Sequence, residues 1–459
     1  MNKLSKCQTQ TIFLVCIFMV LSLIGSWFPG EWSYGFDHWK YFSNSSSIIF
    51  AIIVCLTFIP KINELISKTI TSIIPKRETH INKYLLFIVI SIIFFLIFWN
   101  LKTVMLYGDA TATMERLEGG SFLMTNVLTD YTYQGADMIL QNFGFNSYLT
   151  IAFVNCLAGA IFIFFSLLIV SELGKTKIDK VFMFLLLCTM GSTAIFYGHI
   201  ETYSLLAAGI TIYIYTSIMY LNKKCSILWP GLAASITFMF HMSGGVLFPS
   251  LIALFFIKPI KGQNKWFNKR MLKLILSYVG SLVILFLIIF SLEWGFEIPE
   301  NNVAKYGRFA QAHEGFWGGF YSLTTITHPT SQRFTIFSLG HLNEVFNEYI
   351  LISPVGLILF LIIFLRKNAP INHKEPTNIF FWTLLITYFL YTFIRVSAFG
   401  KYDWDHFSPI SIVYTLFAAY LFTRVEKRTH VKKYLFLVLI TVSLFHVIPW
   451  IFYNAHILF

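Results

Sequence analysis

The chain has 459 residues, of which 56% are hydrophobic and 18% aromatic, whereas only 12% are charged. Its mean hydropathy is +0.68, which excludes a soluble globular domain and predicts a polytopic membrane protein. The net charge is +12. Most of the basic residues lie in the short loops of one predicted face, so we expect them to contact anionic lipid rather than nucleic acid.

Apolar segments long enough to cross a hydrocarbon core as helices recur along the whole sequence. They predict an all-α transmembrane bundle of about thirteen helices. In chain order we expect these helices at residues 11–28, 44–60, 84–100, 148–170, 181–198, 203–220, 226–241, 243–257, 274–293, 347–365, 378–398, 407–423 and 434–453. The first predicted helix follows the segment "MNKLSK" and shows no signal-peptide cleavage site. We therefore expect it to be a retained signal anchor.

Charge asymmetry between the loops predicts the topology. Most of the 34 Lys and Arg residues fall on one face and most of the 22 acids on the other, which places the N-terminus inside and the C-terminus outside. We therefore expect a multi-pass protein of a bacterial or archaeal cytoplasmic membrane. Its single domain (1–459) would comprise a two-helix extension (1–83), core helices (84–293) with an outer loop (101–147), a second long outer loop (294–346) and C-terminal helices (347–459).

Asp109 lies in the first long outer loop, within "LYGDATATMERLEGG". It follows the third predicted helix by a few residues and precedes a short helical stretch that ends at a Gly pair. The carboxylate either caps that short helix by accepting from free backbone N–H groups or acts as a general base at the membrane surface.

"GHIETY" places His199 and Glu201 at a tight turn between two apolar helices, and "FHMSGG" places His241 at the end of another. Each could be a solvated turn residue or a hydrogen-bonded structural group. An unpaired carboxylate so close to apolar helices is expensive to hold, however. This cost favours a functional role for Glu201.

"RVSAFGKYDWDHF" collects charged residues at the outer end of two C-terminal helices. Asp403, Asp405 and His406 lie close to Arg395 and Lys401. The alternatives are a binding site at the bilayer boundary and local ion pairing with Lys401.

The second long loop mixes histidines, acids and Gly-aromatic pairs, and it includes Arg333. Near its end, "HLNEVFNEY" spaces His341, Glu344 and Glu348 on one helical face. That face either points at the site or is exposed to water. No HExxH or His-x-His spacing indicates a metal site.

A long first outer loop that opens with an Asp, many helices, short cytoplasmic connections and carboxylates on the outer face resemble the GT-C superfamily of membrane glycosyltransferases. The segments "GHIETY", "FHMSGGVLFP", "FSLGHLNEVFNEYILISP" and "DWDHFSP" together also resemble bacterial membrane proteins of that superfamily. The resemblance implies a sugar donor linked to polyprenyl phosphate, and a catalytic base at the start of the first long outer loop. Asp109 occupies the matching position. Here that loop follows the third helix, whereas in the superfamily it usually follows the first.

On this interpretation Asp109 is the base, and a cation among Arg333, Arg395 and Lys401 holds the departing phosphate. The remaining candidates would bind substrate or orient the base: His199, Glu201, His241, His341, Asp403, Asp405 and His406. A divalent cation, Mg²⁺ or Mn²⁺, could bind at the Asp403–Asp405 pair but is not required. The expected partners are the lipid-linked donor, membrane lipid, and an acceptor glycan, lipid or protein.

Two alternatives to a glycosyltransferase stay open. A lipid-linked glycan transporter or flippase would need ionisable groups along a path at the membrane midplane, where the sequence places only His446. A polysaccharide polymerase or acyltransferase acting on the same face fits the loops as well as a glycosyltransferase does.

Overall fold

The computed structural model describes residues 4–73, 83–123, 125–257, 269–293, 323, 334–366, 371–395 and 400–457. These residues form eighteen α-helices, which confirms the all-α prediction. In chain order they are α1 (Lys6–Trp27), α2 (Asn44–Leu56), α3 (Pro60–Ile73), α4 (Lys83–Asn100), α5 (Ala110–Glu118), α6 (Val127–Leu140), α7 (Ser147–Leu173), α8 (Lys177–Cys188), α9 (Tyr203–Leu221), α10 (Leu228–Phe240), α11 (Phe248–Ile257), α12 (Lys269–Ile275), α13 (Ser281–Glu293), α14 (Leu339–Ile352), α15 (Pro354–Phe364), α16 (Pro376–Ile394), α17 (Trp404–Val425) and α18 (Thr429–Asn454).

Eight helices of the described chain are long and apolar enough to cross a membrane. They are α1, α4, α7, α9, the continuous α12–α13 segment, α16, α17 and α18. The number rises to ten if the bent pairs α2–α3 (87°) and α14–α15 (102°) each count as one span. Apolar runs alone suggested about thirteen spans, because they do not reveal where a helix breaks or stops short.

Two predicted helices are interrupted. The one expected at 181–198 ends at Cys188, and a short 3₁₀ helix follows at Gly191–Phe196. A Cβ on Gly191 would lie 2.0 Å from the Leu351 carbonyl oxygen, so glycine permits a close backbone contact there. The helix expected at 347–365 begins earlier, at the start of α14, and breaks before Pro354, the first residue of α15. The two breaks therefore pack against each other.

The first long loop is partly helical, as predicted. Asp109 immediately precedes α5, which ends before Gly119, and α6 follows and packs against α7. Of the second long loop, only residue 323 and residues from 334 onward are described. The prediction for Arg333 therefore lies outside the described residues.

The bundle has two distinct ends. α17 is buried along nearly its whole length and its 22 residues span about 33 Å. Ser5, before α1, and Arg428, before α18, line one cavity at one end. At the other end, Tyr107 Oη donates to Oδ1 of Asn454, the last residue of α18, at 3.0 Å. The start of α1 and the end of α18 thus lie at opposite ends of the bundle, and the N-in, C-out orientation stays a prediction.

The connection between α1 and α2 docks against α14. Tyr34 Oη donates to Glu348 Oε1 at 2.9 Å, and the Gly35 N–H donates to Asn347 Oδ1 at 2.9 Å. A Cβ on Gly35 would meet the Asn347 carbonyl oxygen at 2.4 Å, so glycine allows this approach. The N-terminal extension is thereby joined to the C-terminal helices.

Candidate active site

The hydrogen bond that positions Asp109 is made by its backbone N–H rather than by its carboxylate. It is exposed and occupies the N-cap position of α5, yet its side chain makes no capping hydrogen bond. Its N–H donates to Glu201 Oε1 at 2.9 Å. The capping alternative therefore does not account for this carboxylate. The contact joins the first long loop to the "GHIETY" turn.

Buried polar side chains fix the "GHIETY" turn from two sides. Asn155 Nδ2, on α7, donates to the carbonyl oxygens of His199 at 2.6 Å and Glu201 at 3.1 Å. Tyr133 Oη, on α6, donates to the Glu201 carbonyl oxygen at 2.8 Å. Gly198 has a φ of +64°, a conformation that favours glycine. These contacts fix the backbone of the turn and thereby the position of Glu201.

Four carboxylates are close enough to affect one another. Burial raises the pKa of Glu201 well above its usual value, and Asp405, Asp109 and Asp403 raise it further. The pKa of Asp109 is raised as well, first because packed protein removes part of its hydration and also by Asp405, while Arg116 opposes the change. Glu201 and Asp109 therefore retain protons to a higher pH than isolated acids.

Asp405 links the cluster to two histidines. Its Oδ2 lies 3.4 Å from His199 Nε2, and both side chains are buried. Its Oδ1 accepts from the backbone N–H of His406 at 2.8 Å. The ring of Trp404 lies 5.0 Å from the His199 ring. The start of α17 therefore forms one wall of the site.

Tyr203 connects this wall to His241. Its hydroxyl lies 3.0 Å from His406 Nδ1, and its ring lies 4.7 Å from the His241 ring. Burial lowers the pKa of His241 to about 3, and the charge of Arg395 contributes. His241 Nδ1 accepts from the Ser243 N–H at 3.1 Å. The neutral imidazole consequently carries its proton on Nε2 and can donate from there.

Arg116 is a buried cation that the sequence analysis missed. Its Nη2 donates to Thr113 Oγ1 at 2.9 Å, and its Nε has no partner in the described part of the chain. Its charge acts on both Asp109 and Asp130. Asp109 and Arg116 are seven residues apart, which is two helical turns and the same side of α5. That spacing was the available signal.

The structure also places three more of the predicted site residues, Lys401, His341 and Arg395. Lys401 is exposed, with its ammonium 5.2 Å from the centre of the Tyr402 ring. His341 is buried, and its Nε2 is 2.8 Å from the Phe393 carbonyl oxygen. His341 thereby ties α14 to the end of α16. Arg395 directly follows α16.

The helical face of "HLNEVFNEY" is not exposed to water. His341, Glu344 and Glu348 are all buried. Glu348 is close enough for its charge to interact with Asp403 and Asp405. This face therefore packs behind the carboxylate cluster.

No three His, Cys, Asp or Glu side chains converge at metal-binding distances within the described ranges. A cation bound to Asp403 and Asp405 would thus need further ligands from substrate or water.

The chain is similar in structure to ArnT from Cupriavidus metallidurans. The TM-score is 0.49 with the apo form, at 14% identity over 74% of this chain and 60% of ArnT. With ArnT bound to undecaprenyl phosphate it is 0.47, at 12% identity over 73% and 59%. An Archaeoglobus fulgidus oligosaccharyltransferase, tethered with an acceptor peptide containing the NVT sequon, gives 0.44 at 14% identity over 82% and 55%.

The chain spans about three fifths of the length of these proteins. No protein-family profile matches the sequence, and no curated protein is similar to it in sequence. These structural likenesses concern the helical architecture alone.

Proposed function

We propose that this chain is a membrane glycosyltransferase. It moves a sugar from a polyprenyl-phosphate-linked donor to a hydroxyl of an acceptor glycan, lipid or protein on the outer face of the membrane. The observation that carries the proposal is Asp109. Its carboxylate is exposed and takes no part in helix capping, and its pKa is raised, first by partial loss of hydration and then by the charge of Asp405.

The chemistry requires a proton acceptor. The acceptor oxygen forms a bond to the anomeric carbon while the bond from that carbon to the donor phosphate breaks. Asp109 takes the hydroxyl proton, and the electron pair of the broken bond leaves with polyprenyl phosphate. A raised pKa makes Asp109 a stronger base than an ordinary aspartate, provided that it is ionised at the working pH.

Positive groups near the base would hold the departing phosphate. The Nε of Arg116 has no hydrogen-bond partner among the described residues, and Arg116 lies on the same side of α5 as Asp109. The charge of Arg395 acts on His241. We assign phosphate binding to Arg116 or Arg395 ahead of Lys401 because Lys401 is exposed over Tyr402.

The remaining polar groups suit a sugar. Neutral His241 can donate from Nε2, whereas Asp403 and Asp405 offer acceptor oxygens. Glu201 holds the base in position. A site at the ends of membrane-spanning helices lets the donor keep its chain in the bilayer while its headgroup reaches water.

The test is Asp109→Asn in the purified full chain, with Glu118→Gln as a matched acid-to-amide control on α5. Liposomes containing the protein receive a mixture of polyprenyl-phosphate sugars and candidate acceptors, and mass spectrometry detects transferred sugar. Asp109→Asn should lower turnover about 10²-fold or more without changing the melting temperature, since no capping bond is lost.

Full activity in Asp109→Asn would reject Asp109 as the base. Wild-type protein that moves labelled donor across the bilayer but forms no glycosidic product with any acceptor would instead support the transporter alternative.

A further inference from the structure

A second polar feature lies at the other end of the bundle. A cavity of about 270 Å³ opens between the start of α1 and the ends of α15 and α17. Its lining includes Lys6, Arg366 and Arg428, together with Ser5 and Gln10. Three cations around one cavity favour the binding of an anion there.

This cavity is separate from the candidate active site. Asp405 lies in the first turn of α17, whereas Glu426, which pairs with both cavity arginines, directly follows its last residue. The helix between them is about 33 Å long. No group of the carboxylate cluster can reach the cavity.

Glu426 compensates only part of the positive charge. Arg428 donates from Nε to Glu426 Oε1 at 3.0 Å and from Nη2 to Oε2 at 2.9 Å, and Arg366 Nη2 donates to Oε2 at 2.8 Å. Burial would raise the pKa of Glu426, but these hydrogen bonds and charges lower it to about 2. The carboxylate is therefore charged, and one anion faces three cations in the described residues.

Arg366 also has a donor left over. Its Nη1 is buried and has no hydrogen-bond partner in the described part of the chain. A buried guanidinium nitrogen without an acceptor is costly. Guanidinium groups match phosphate oxygens in geometry and charge. The adjacent N-terminal end of α1 adds a favourable helix dipole for a negative group.

We propose that this cavity binds the phosphate of an anionic phospholipid headgroup. A soluble phosphate has the same chemistry, but the cavity lies at the ends of membrane-spanning helices, where headgroups are concentrated. Basic pockets between transmembrane helices bind such headgroups. On the predicted topology this is the cytoplasmic face, whose leaflet is anionic.

The experiment uses the full chain in nanodiscs of phosphatidylcholine with increasing phosphatidylglycerol, and native mass spectrometry counts the lipids retained. Lys6→Gln and Arg366→Gln are compared with Lys374→Gln. Lys374 is exposed in the connection between α15 and α16, at the same end of the bundle but outside the cavity. Each cavity variant should retain phosphatidylglycerol about five-fold less tightly, whereas the control should match wild type.

Arg366→Gln also removes a hydrogen bond to Glu426, so the melting temperature of each variant is recorded. Lys6 is exposed, and Lys6→Gln keeps the test valid if Arg366→Gln unfolds. Equal retention of phosphatidylglycerol by wild type, Lys6→Gln and Lys374→Gln would overturn the proposal, as would equal retention of phosphatidylcholine. Displacement of the lipid by equimolar inorganic phosphate would assign the cavity to a soluble anion and reject the lipid. No arm depends on sugar transfer, so this result and the proposed function fail separately.

Discussion

The contact between Glu201 and Asp109 predicts that two substitutions of one residue will behave differently. In Glu201→Gln the side-chain oxygen that accepts the Asp109 N–H is kept, whereas Glu201→Ala removes it. The raised pKa of Glu201 favours its neutral form, which glutamine imitates. We therefore expect Glu201→Gln to retain most of the activity and Glu201→Ala to lose much of it.

The size of the loss follows from one hydrogen bond. Leaving the N–H without its acceptor costs about 1–3 kcal/mol. If that cost falls on the positioning of the base, turnover decreases roughly 5- to 150-fold, because 1.36 kcal/mol corresponds to a factor of ten. Asp109 is exposed, so water can replace part of the lost bond. We expect the lower half of this range.

The assay is the initial rate of sugar transfer by purified wild type and both variants in the same liposomes. The turnover rate and KM are determined separately, since a misplaced base lowers the turnover rate and leaves donor binding intact. Wild-type rates in Glu201→Ala would refute a positioning role. Equal losses in the two variants would show that the ionised carboxylate, rather than its hydrogen bond, matters.

Two further predictions concern pH. Asp405→Asn removes a negative charge that raises the pKa of Asp109, so the acid limb of the kcat/KM profile should move to lower pH. Arg116→Gln removes a positive charge that lowers this pKa, so the acid limb should move to higher pH. Shifts of both variants in the same direction would contradict this prediction. Burial raises the pKa of Asp130 to about 6, so its contribution to stability is full below about pH 4 and is lost as pH rises through 6, a loss of roughly 3 kcal/mol. Asp130→Asn has no carboxyl group to ionise and so lacks this loss of stability. The melting temperature of the variant minus that of wild type should therefore increase between pH 4 and 7. A temperature difference that stays constant with pH would refute the raised pKa of Asp130.

Much of the fold could be predicted from the sequence because backbone groups in a membrane must be satisfied within each helix. The helix expected at 203–220 is Tyr203–Leu221, and the one expected at 84–100 is Lys83–Asn100. The interruption after Cys188 was not predictable, because it depends on a contact between Gly191 and a distant carbonyl group. An apolar run contains no signal for such a contact.

The candidate site divides in the same way. Polar residues at short outer turns, such as Glu201, were visible as exceptions to an apolar pattern. The bond from the Asp109 N–H to Glu201 spans 92 positions and involves a backbone group, so residue types alone could not indicate it. Asn155 and Tyr133 lie within helices, where a single polar side chain does not by itself indicate a site. The residue type of Arg116 alone did not distinguish it from other charged residues of the loops.

The docking of the N-terminal extension gives a prediction about stability. Tyr34 Oη donates to Glu348 Oε1 at 2.9 Å, and Glu348 is fully buried. Tyr34→Phe leaves that carboxyl group without its donor, at a cost of about 1–3 kcal/mol. If the second partner is also removed, in Tyr34→Phe with Glu348→Met, the unsatisfied group disappears. We therefore expect the double variant to melt at a higher temperature than Tyr34→Phe alone. Trp32→Phe is a suitable control because Trp32 is exposed in the same connection. Strictly additive losses in the double variant would show that Tyr34 and Glu348 do not stabilise each other, and that the extension is held by its other contacts with α14 and α18.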